Sequence, residues 1–175
     1  SVFPCPFRRG GNLLVLCDTY KPDGTPLENN YRHTATKIFN KGLNEKPWFG
    51  LEQEFFIIDP KTKKPFGLTE DKQEQGQFYC GIGTTNVFNR VVIERLYSYC
   101  LFAMINISGI NAEVAPGQWE YQIGPNEGID SADQLWISRY ILLRISEDHN
   151  VEINFEAKLL SKDEWNGSGC HVNYS

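Results

Sequence analysis

The segment Trp48-Phe49-Gly50-Leu51-Glu52-Gln53-Glu54-Phe55-Phe56-Ile57-Ile58-Asp59 constrains the fold more than any other part of the chain. Aromatic and branched residues dominate it and no helix cap is visible, so the pattern predicts a long strand over 48–59 and a loop over 60–65. Alternation places Glu52 and Glu54 on one face and Phe49, Leu51 and Phe55 on the other. Charged residues ordinarily face water, and a solvated strand surface would accommodate an isolated Glu-X-Glu. The flanking aromatics instead describe a largely buried strand whose two carboxylates point into the same space.

A hairpin further on carries the same sign. Short strands are predicted over 109–114 and 118–123, around Ala115-Pro116-Gly117. With Ala115 to Gln118 as a four-residue loop, Val114 pairs with Trp119 and Glu113 lies directly opposite Glu120, the Cβ atoms about 5 Å apart. Facing like charges are unfavourable. A different register with both acids in water, or a proton on one of them, would relieve the repulsion, and so would a bound divalent cation. Carboxylates completed by water and phosphate oxygens suit Mg²⁺ or Mn²⁺.

His171 follows the glycine-rich turn Trp165-Asn166-Gly167-Ser168-Gly169 and, on an extended segment, shares a face with Asn173 and Ser175, while Val172 and Tyr174 face the other way. A lone histidine is more often structural than a ligand. Beside carboxylates it would suit the same ions next to a substrate phosphate. His33 and His149, on helical segments without such an acid pattern, read as structural.

The remaining pattern fills in an α+β fold, a strand-rich sheet with three helices. A strand is predicted over 13–17, and a helix over 30–44 with Tyr31, Thr34, Ile38 and Leu43 on one face. Pro47 ends that helix. Residues 66–86 read as loop with a strand-like piece at Phe78-Tyr79-Cys80. The main core helix is expected over 86–107, with Asn86 as N-cap and Val87, Val91, Leu96, Cys100 and Ala103 as its stripe. A second long helix is expected over 131–148, with Leu135, Ile137, Tyr140, Ile141, Leu143 and Ile145 apolar, and a strand over 151–155.

The 175 residues suffice for one domain that buries about 70% of its unfolded surface, so disulfides are not forced. Lys and Arg number 17 against 22 Asp and Glu, without a run of five basic residues, which argues against nucleic-acid binding. Arg8-Arg9 and Lys61-Thr62-Lys63-Lys64 read as loops. Five cysteines without a C-x-x-C pair fit free thiols in a reducing compartment, Cys17 and Cys100 among them as buried groups. No apolar run is long enough to span a membrane, and Ser1-Val2-Phe3-Pro4 shows no signal-peptide pattern, so a cytoplasmic location without membrane partners is expected.

Three stretches together resemble glutamine synthetase of the eukaryotic type (class II): Trp48-Phe49-Gly50-Leu51-Glu52-Gln53-Glu54, the run Asn111-Ala112-Glu113-Val114-Ala115-Pro116-Gly117-Gln118-Trp119-Glu120-Tyr121-Gln122-Ile123-Gly124-Pro125, and Trp165-Asn166-Gly167-Ser168-Gly169-Cys170-His171-Val172-Asn173. Shorter matches at Asn12 to Cys17, Arg32-His33-Thr34, Tyr79-Cys80-Gly81 and Glu147-Asp148 extend it over nearly the whole chain in family order. The resemblance implies an antiparallel-rich catalytic sheet packed by helices over 29–175, preceded by a remnant of an N-terminal β-grasp domain over 1–28. It implies ATP-dependent joining of ammonia to L-glutamate through γ-glutamyl phosphate, with two divalent metals, Mg²⁺ or Mn²⁺, per site.

By the same resemblance, Glu54, Glu113 and Glu120 would hold the metal nearer glutamate and ammonia, and Glu52 and His171 the one bridging the ATP phosphates. Glu52, Glu120, Tyr121, Gln122, Ile123, Gly124 and Pro125 would contact ATP together with Asn173, Tyr174 and Ser175, and Asn166 and Gly167 would contact glutamate. No single catalytic acid or base is implied. The family works as a ring-type homo-oligomer with active sites between subunits, and its pattern continues past the position of Ser175 with arginines and a further glutamate. The chain is therefore expected to be a fragment that leaves sheet edges and helix faces uncovered and associates. The alternative is a non-catalytic scaffold or interaction protein that retains the metal ligands.

Overall fold

The computed structural model describes residues 1–8, 10–42, 44–69, 73–160 and 165–175. Two short strands, β1 (Val2–Pro4) and β2 (Leu13–Val15), form a separate antiparallel pair. Helix α1 (Tyr31–Phe39) follows, with one 3₁₀ turn at Asn40–Gly42, then β3 (Trp48–Ile58), α2 (Arg90–Phe102), β4 (Ile107–Ala112) and β5 (Gln118–Glu127). The long helix α3 (Ile129–His149), β6 (Glu152–Asn154) and β7 (Cys170–Tyr174) complete the described elements. The main sheet runs β4-β5-β3-β6, and β7 shares with β6 the far edge of β3. Every pairing is antiparallel, which bears out the α+β expectation.

β3 is central because it can cover a helix layer on one face. Leu51, Phe55 and Ile57 join Trp119, Tyr121 and Ile123 of β5 under Val92, Ile93, Leu96 and Cys100 of α2 and Ile141, Leu142 and Ile145 of α3. Burying one such side chain stabilises by about 1.5–3 kcal/mol. The polar tips in that layer are satisfied: the Tyr121 hydroxyl pairs with Ser138 Oγ at 3.0 Å and the Trp119 indole N–H donates to Phe88 O at 2.9 Å. The opposite face is divided. Phe56 and Ile58 pack with Phe78, Ala115 and Trp165 in a smaller cluster, while Glu52 and Glu54 lie beyond it. The β1–β2 pair is not isolated, since Phe3 reaches the main core and Cys5 is buried.

Several expectations shift. The core helix begins at Arg90, not Asn86, because Asn89 adopts a left-handed conformation (φ 56°) that bars an earlier start. The buried stripe accordingly includes Val92 and Ile93 rather than Val91, and the helix ends at Phe102. α3 starts at Ile129, with Tyr140 and Leu143 exposed. α1 buries none of its residues: Tyr31 and Ile38 face outward, and Leu43 lies outside the described residues. Polar contacts anchor it instead, with Asn30 Oδ1 accepting the His33 N–H at its start and Arg32 bridging Asp18 and the buried Asp133 of α3. Cys17 is exposed, whereas Cys100 is buried, and residues 78–80 form turns rather than a strand.

Candidate metal centre

Strand register arranges the polar face of the sheet into two rows. In β5 and β3, Glu120 lies directly opposite Glu54 and Gln122 opposite Glu52. Outward on the β4 side, Asn111 faces Glu120 and Gly109 faces Gln122. On the β7 side, His171 faces Glu52, and Gly169 sits beside Glu54. One row therefore reads Asn111, Glu120, Glu54, and the next Gly109, Gln122, Glu52, His171.

The predicted hairpin register is not the observed one. Ala112, not Val114, pairs with Trp119, so Glu113 has left the strand and its N–H donates to Gln118 O at 3.0 Å across the turn. The confrontation expected between Glu113 and Glu120 across the hairpin falls instead between Glu54 and Glu120, on β3 and β5. Glu113 still joins them from the turn. Oxygens of Glu54, Glu113 and Glu120 lie within 4.8 Å of one another.

Each carboxylate is held by fixed donors. Gly169 N–H donates to Glu54 Oε2 at 2.6 Å. Glu113 accepts from Asn111 Nδ2 at 3.0 Å and from the Val114 N–H at 3.1 Å. Gln122 Nε2 donates to Glu120 Oε1 and, at 2.7 Å, to Asn111 Oδ1. These donors do not neutralise the charge. Burial pushes Glu113 above the ordinary carboxylate range and the charges of Glu54 and Glu52 add to it, against the Val114 and Asn111 donors. Burial also raises Glu120, with Glu113, Glu52 and Glu54 adding and the Gln122 bond opposing.

In the neighbouring row, His171 Nδ1 lies 3.6 Å from Glu52 Oε2, and Asn173 Nδ2 donates to Glu52 Oε1 at 3.1 Å. A recess of about 220 Å³ is lined by Glu52, Glu54, Glu120, Gly169, Cys170 and His171. The donor set fits a hard divalent cation: convergent carboxylates with like charges at close range, two of them raised, and an imidazole beside the fourth acid.

A cleft of about 370 Å³ adjoins this face, lined by Glu52, Gln122, Gly124, Pro125, Asn173 and Ser175 among others. Not every residue of the expected nucleotide stretch reaches it by its side chain. Tyr121 and Ile123 turn into the helix-covered core, as alternation along β5 requires, and Tyr174 turns to the other side of β7, its ring 5.4 Å from that of Phe49. Gly124 (φ 110°) needs to lack a Cβ, which would lie 2.6 Å from Phe49 O. In the turn before β7, Asn166 exchanges hydrogen bonds with the Gln75 side chain, and Gly167 O accepts from Gln118 Nε2 at 3.1 Å. A Cβ on Gly167 would lie 2.7 Å from Ala157 O.

Sequence reading missed Asn111 and Gln53, and it named Gln122 as a nucleotide contact without its link to Asn111. Asn111 and Gln122 share the face of Glu120, a relation that alternation discloses once the register is known. Gln53, buried between the two acids of β3, accepts from Arg139 Nε at 2.8 Å and donates to Gly169 O at 3.3 Å, tying α3 to the turn that holds Glu54.

Residues 29–175 match the family model described as the glutamine synthetase catalytic domain. The whole chain aligns at 51% identity with a glutamine synthetase of Agaricus bisporus, covering 49% of that protein. It aligns at 49% with glutamine synthetase N-1 of Phaseolus vulgaris and at 49% with a glutamine synthetase cytosolic isozyme 2 of Vitis vinifera, covering 50% of each. The chain thus spans about half the length of these curated relatives. None of the described helices is long and apolar enough to cross a membrane.

Proposed function

The chain belongs to the glutamine synthetase family, and from that membership we propose that it carries the metal-binding part of a ligase that joins ammonia to L-glutamate at the expense of ATP, through γ-glutamyl phosphate. The observation that carries this reading is the convergence of Glu54, Glu113 and Glu120 beside the Glu52–His171 pair on one face of the sheet. Glu54, Glu113 and Glu120 would hold one Mg²⁺ or Mn²⁺ and Glu52 and His171 a second. Bound there, the cations would neutralise charge on the transferring phosphoryl group and fix it against its acceptor.

The chain's own residues set the geometry for that step. Gly169 aims the Glu54 carboxylate, Asn173 holds Glu52, and the cleft lined by Gln122, Gly124, Pro125, Asn173 and Ser175 would seat the nucleotide next to them. Tyr121, Ile123 and Tyr174 would serve that seat by fixing the strands rather than by side-chain contact. Asn166 and Gly167, in the turn that leads to Gly169, would contact glutamate, Asn166 by its amide and Gly167 by close backbone approach. Residues 1–28 would be the remnant of an N-terminal domain, a reading supported by their separate strand pair and by a family match that begins at residue 29. A cytoplasmic ring of identical subunits with shared active sites completes the proposal. Apolar side chains exposed on the helix layer, Leu101, Phe102 and Trp136 among them, support assembly.

The test is ATP- and glutamate-dependent phosphate release, and γ-glutamyl transfer with Mn²⁺, by the full encoded protein that contains these residues. Both activities should be present and fall at least 100-fold in Glu52→Ala. Stoichiometric Mn²⁺ binding with neither activity would instead support a metal-retaining scaffold.

A further inference from the structure

We propose that Asn111 and Gln122 are positioning residues of the three-carboxylate site, forming an amide bridge that holds Glu113 and Glu120 in register before a cation arrives. This inference rests on the reading of Glu54, Glu113 and Glu120 as a divalent-cation site.

The bridge follows from the register. Asn111 faces Glu120 across β4 and β5, and Gln122 lies two residues along β5 on the same face. Gln122 Nε2 donates both to Glu120 Oε1 and to Asn111 Oδ1, and Asn111 Nδ2 passes the chain on to Glu113 Oε1. A continuous series Glu120, Gln122, Asn111, Glu113 thus links two acids that no strand ladder links, because Glu113 has already left β4.

The three acids do not depend on this series equally. Glu54 and Glu120 sit on paired strands, so the backbone fixes where their side chains start. Glu113 projects from a turn, and besides its own Val114 N–H the Asn111 amide is what orients its carboxylate. Each carboxylate oxygen has two lone pairs, so an amide donor can occupy one and leave the other for a cation. Neutral amides suit the task, since a carboxylate at 111 would face Glu120 with like charge and nothing to donate.

Gly109 makes room for the bridge. It faces Gln122, and a Cβ there would lie 2.5 Å from Gln122 Oε1, where the bridging amide sits. The obstacle is the end of a flexible side chain, so Gly109→Ala would displace the amide and leave the backbone in place.

The experiment titrates the full encoded protein that contains these residues with Mn²⁺, following free Mn²⁺ by electron paramagnetic resonance, and records the melting temperature of each variant without metal. Loss of groups that orient metal ligands weakens metal binding by about 10–100-fold. Asn111→Ala, Asn111→Leu, Gln122→Ala and Gly109→Ala should each weaken Mn²⁺ by about tenfold or more, with melting within a few degrees of the parent chain. Asn111→Ala combined with Gln122→Ala should weaken it little beyond either alone, since both interrupt one series. One Mn²⁺ equivalent lost in Glu54→Ala, with Mn²⁺ affinity unchanged in the Asn111 and Gln122 variants, would overturn the bridge alone. Affinity losses matched by a comparable fall in melting temperature in all four variants would also overturn it, as a merely structural role. A Mn²⁺ stoichiometry left unchanged by Glu54→Ala would overturn the cation-site reading and the bridge with it.

Discussion

Glu54 and Glu120 face each other directly across β3 and β5, and Glu113 is brought against them from the turn after β4. Directly opposed like charges destabilise a sheet by up to about 1 kcal/mol per pair. The chain places this repulsion on the open face of the strands whose other face holds its largest apolar core, so the fold can carry it.

The repulsion gives a pH dependence. Burial, reinforced by neighbouring carboxylates, raises Glu113 and Glu120 above their ordinary range. A carboxylate whose folded pKa exceeds its unfolded value binds its proton more tightly when folded. Its contribution is therefore most favourable at low pH and is lost as pH rises through the unfolded and then the folded value. Glu113→Gln should gain stability relative to the parent chain between pH 4 and pH 7.5, by about 1 kcal/mol. Urea unfolding at the two pH values measures it, and an equal difference at both would refute the assignment.

Cation binding should reverse the same cost. A ligand at 100 times its Kd stabilises by about 2.7 kcal/mol, which for a chain of this size raises Tm by roughly 5–10 °C. Mn²⁺ should do this at pH 7.5 and much less at pH 4, where Glu113 and Glu120 hold protons, and the shift should shrink in Glu54→Gln. A thermal melt with and without Mn²⁺ decides the matter.

Arg32 should be the residue on which α1 most depends. It donates to Asp133 through Nε at 2.8 Å and Nη2 at 2.7 Å, and to Asp18 through Nη1 at 2.9 Å. Burial works against an ionised Asp133, yet the Arg32 bond and that from Ser1 outweigh it and hold Asp133 below the ordinary range. Arg32→Ala leaves that carboxylate buried without its cation, at a cost of about 2 kcal/mol once solvent access to Arg32 is allowed for. Adding Asp133→Asn should recover part of the loss, as measured by denaturant midpoint.

Gly124→Ala should destabilise by about 2 kcal/mol or more, because φ is 110° there and the new Cβ would meet the Phe49 carbonyl. The obstacle is backbone, which cannot swing aside as a side chain can. A midpoint within 0.5 kcal/mol of the parent, on the scale of an ordinary surface change, would contradict this.

Much of this architecture is legible in residue order. Alternation in β3 separates Leu51 and Phe55 from Glu52 and Glu54 correctly, because a strand with one covered face has only one workable phase. What periodicity cannot disclose is which distant strand lies alongside. The acid facing Glu120 comes from β3, some sixty residues earlier, and the turn at Glu113 takes a geometry that the Pro-Gly signal does not specify. The start of α2 slips for a similar reason: Asn86 is a good cap by type, but the left-handed Asn89 sets the boundary. The face of α1 misleads because salt bridges, rather than Tyr31 and Ile38, attach it.

Gly169 uses both sides of its peptide on one residue: its carbonyl accepts the Glu54 N–H at 3.0 Å, and its own N–H donates to the Glu54 carboxylate. Docking the edge strand β7 and aiming a ligand are therefore a single event. The residues of β7 are all exposed, and fraying of such an edge needs far less free energy than global unfolding. A chain with β7 lifted keeps its helix-covered core but loses the latch on Glu54, so loading with metal should protect the amide hydrogens of β7 from exchange more than those of α2.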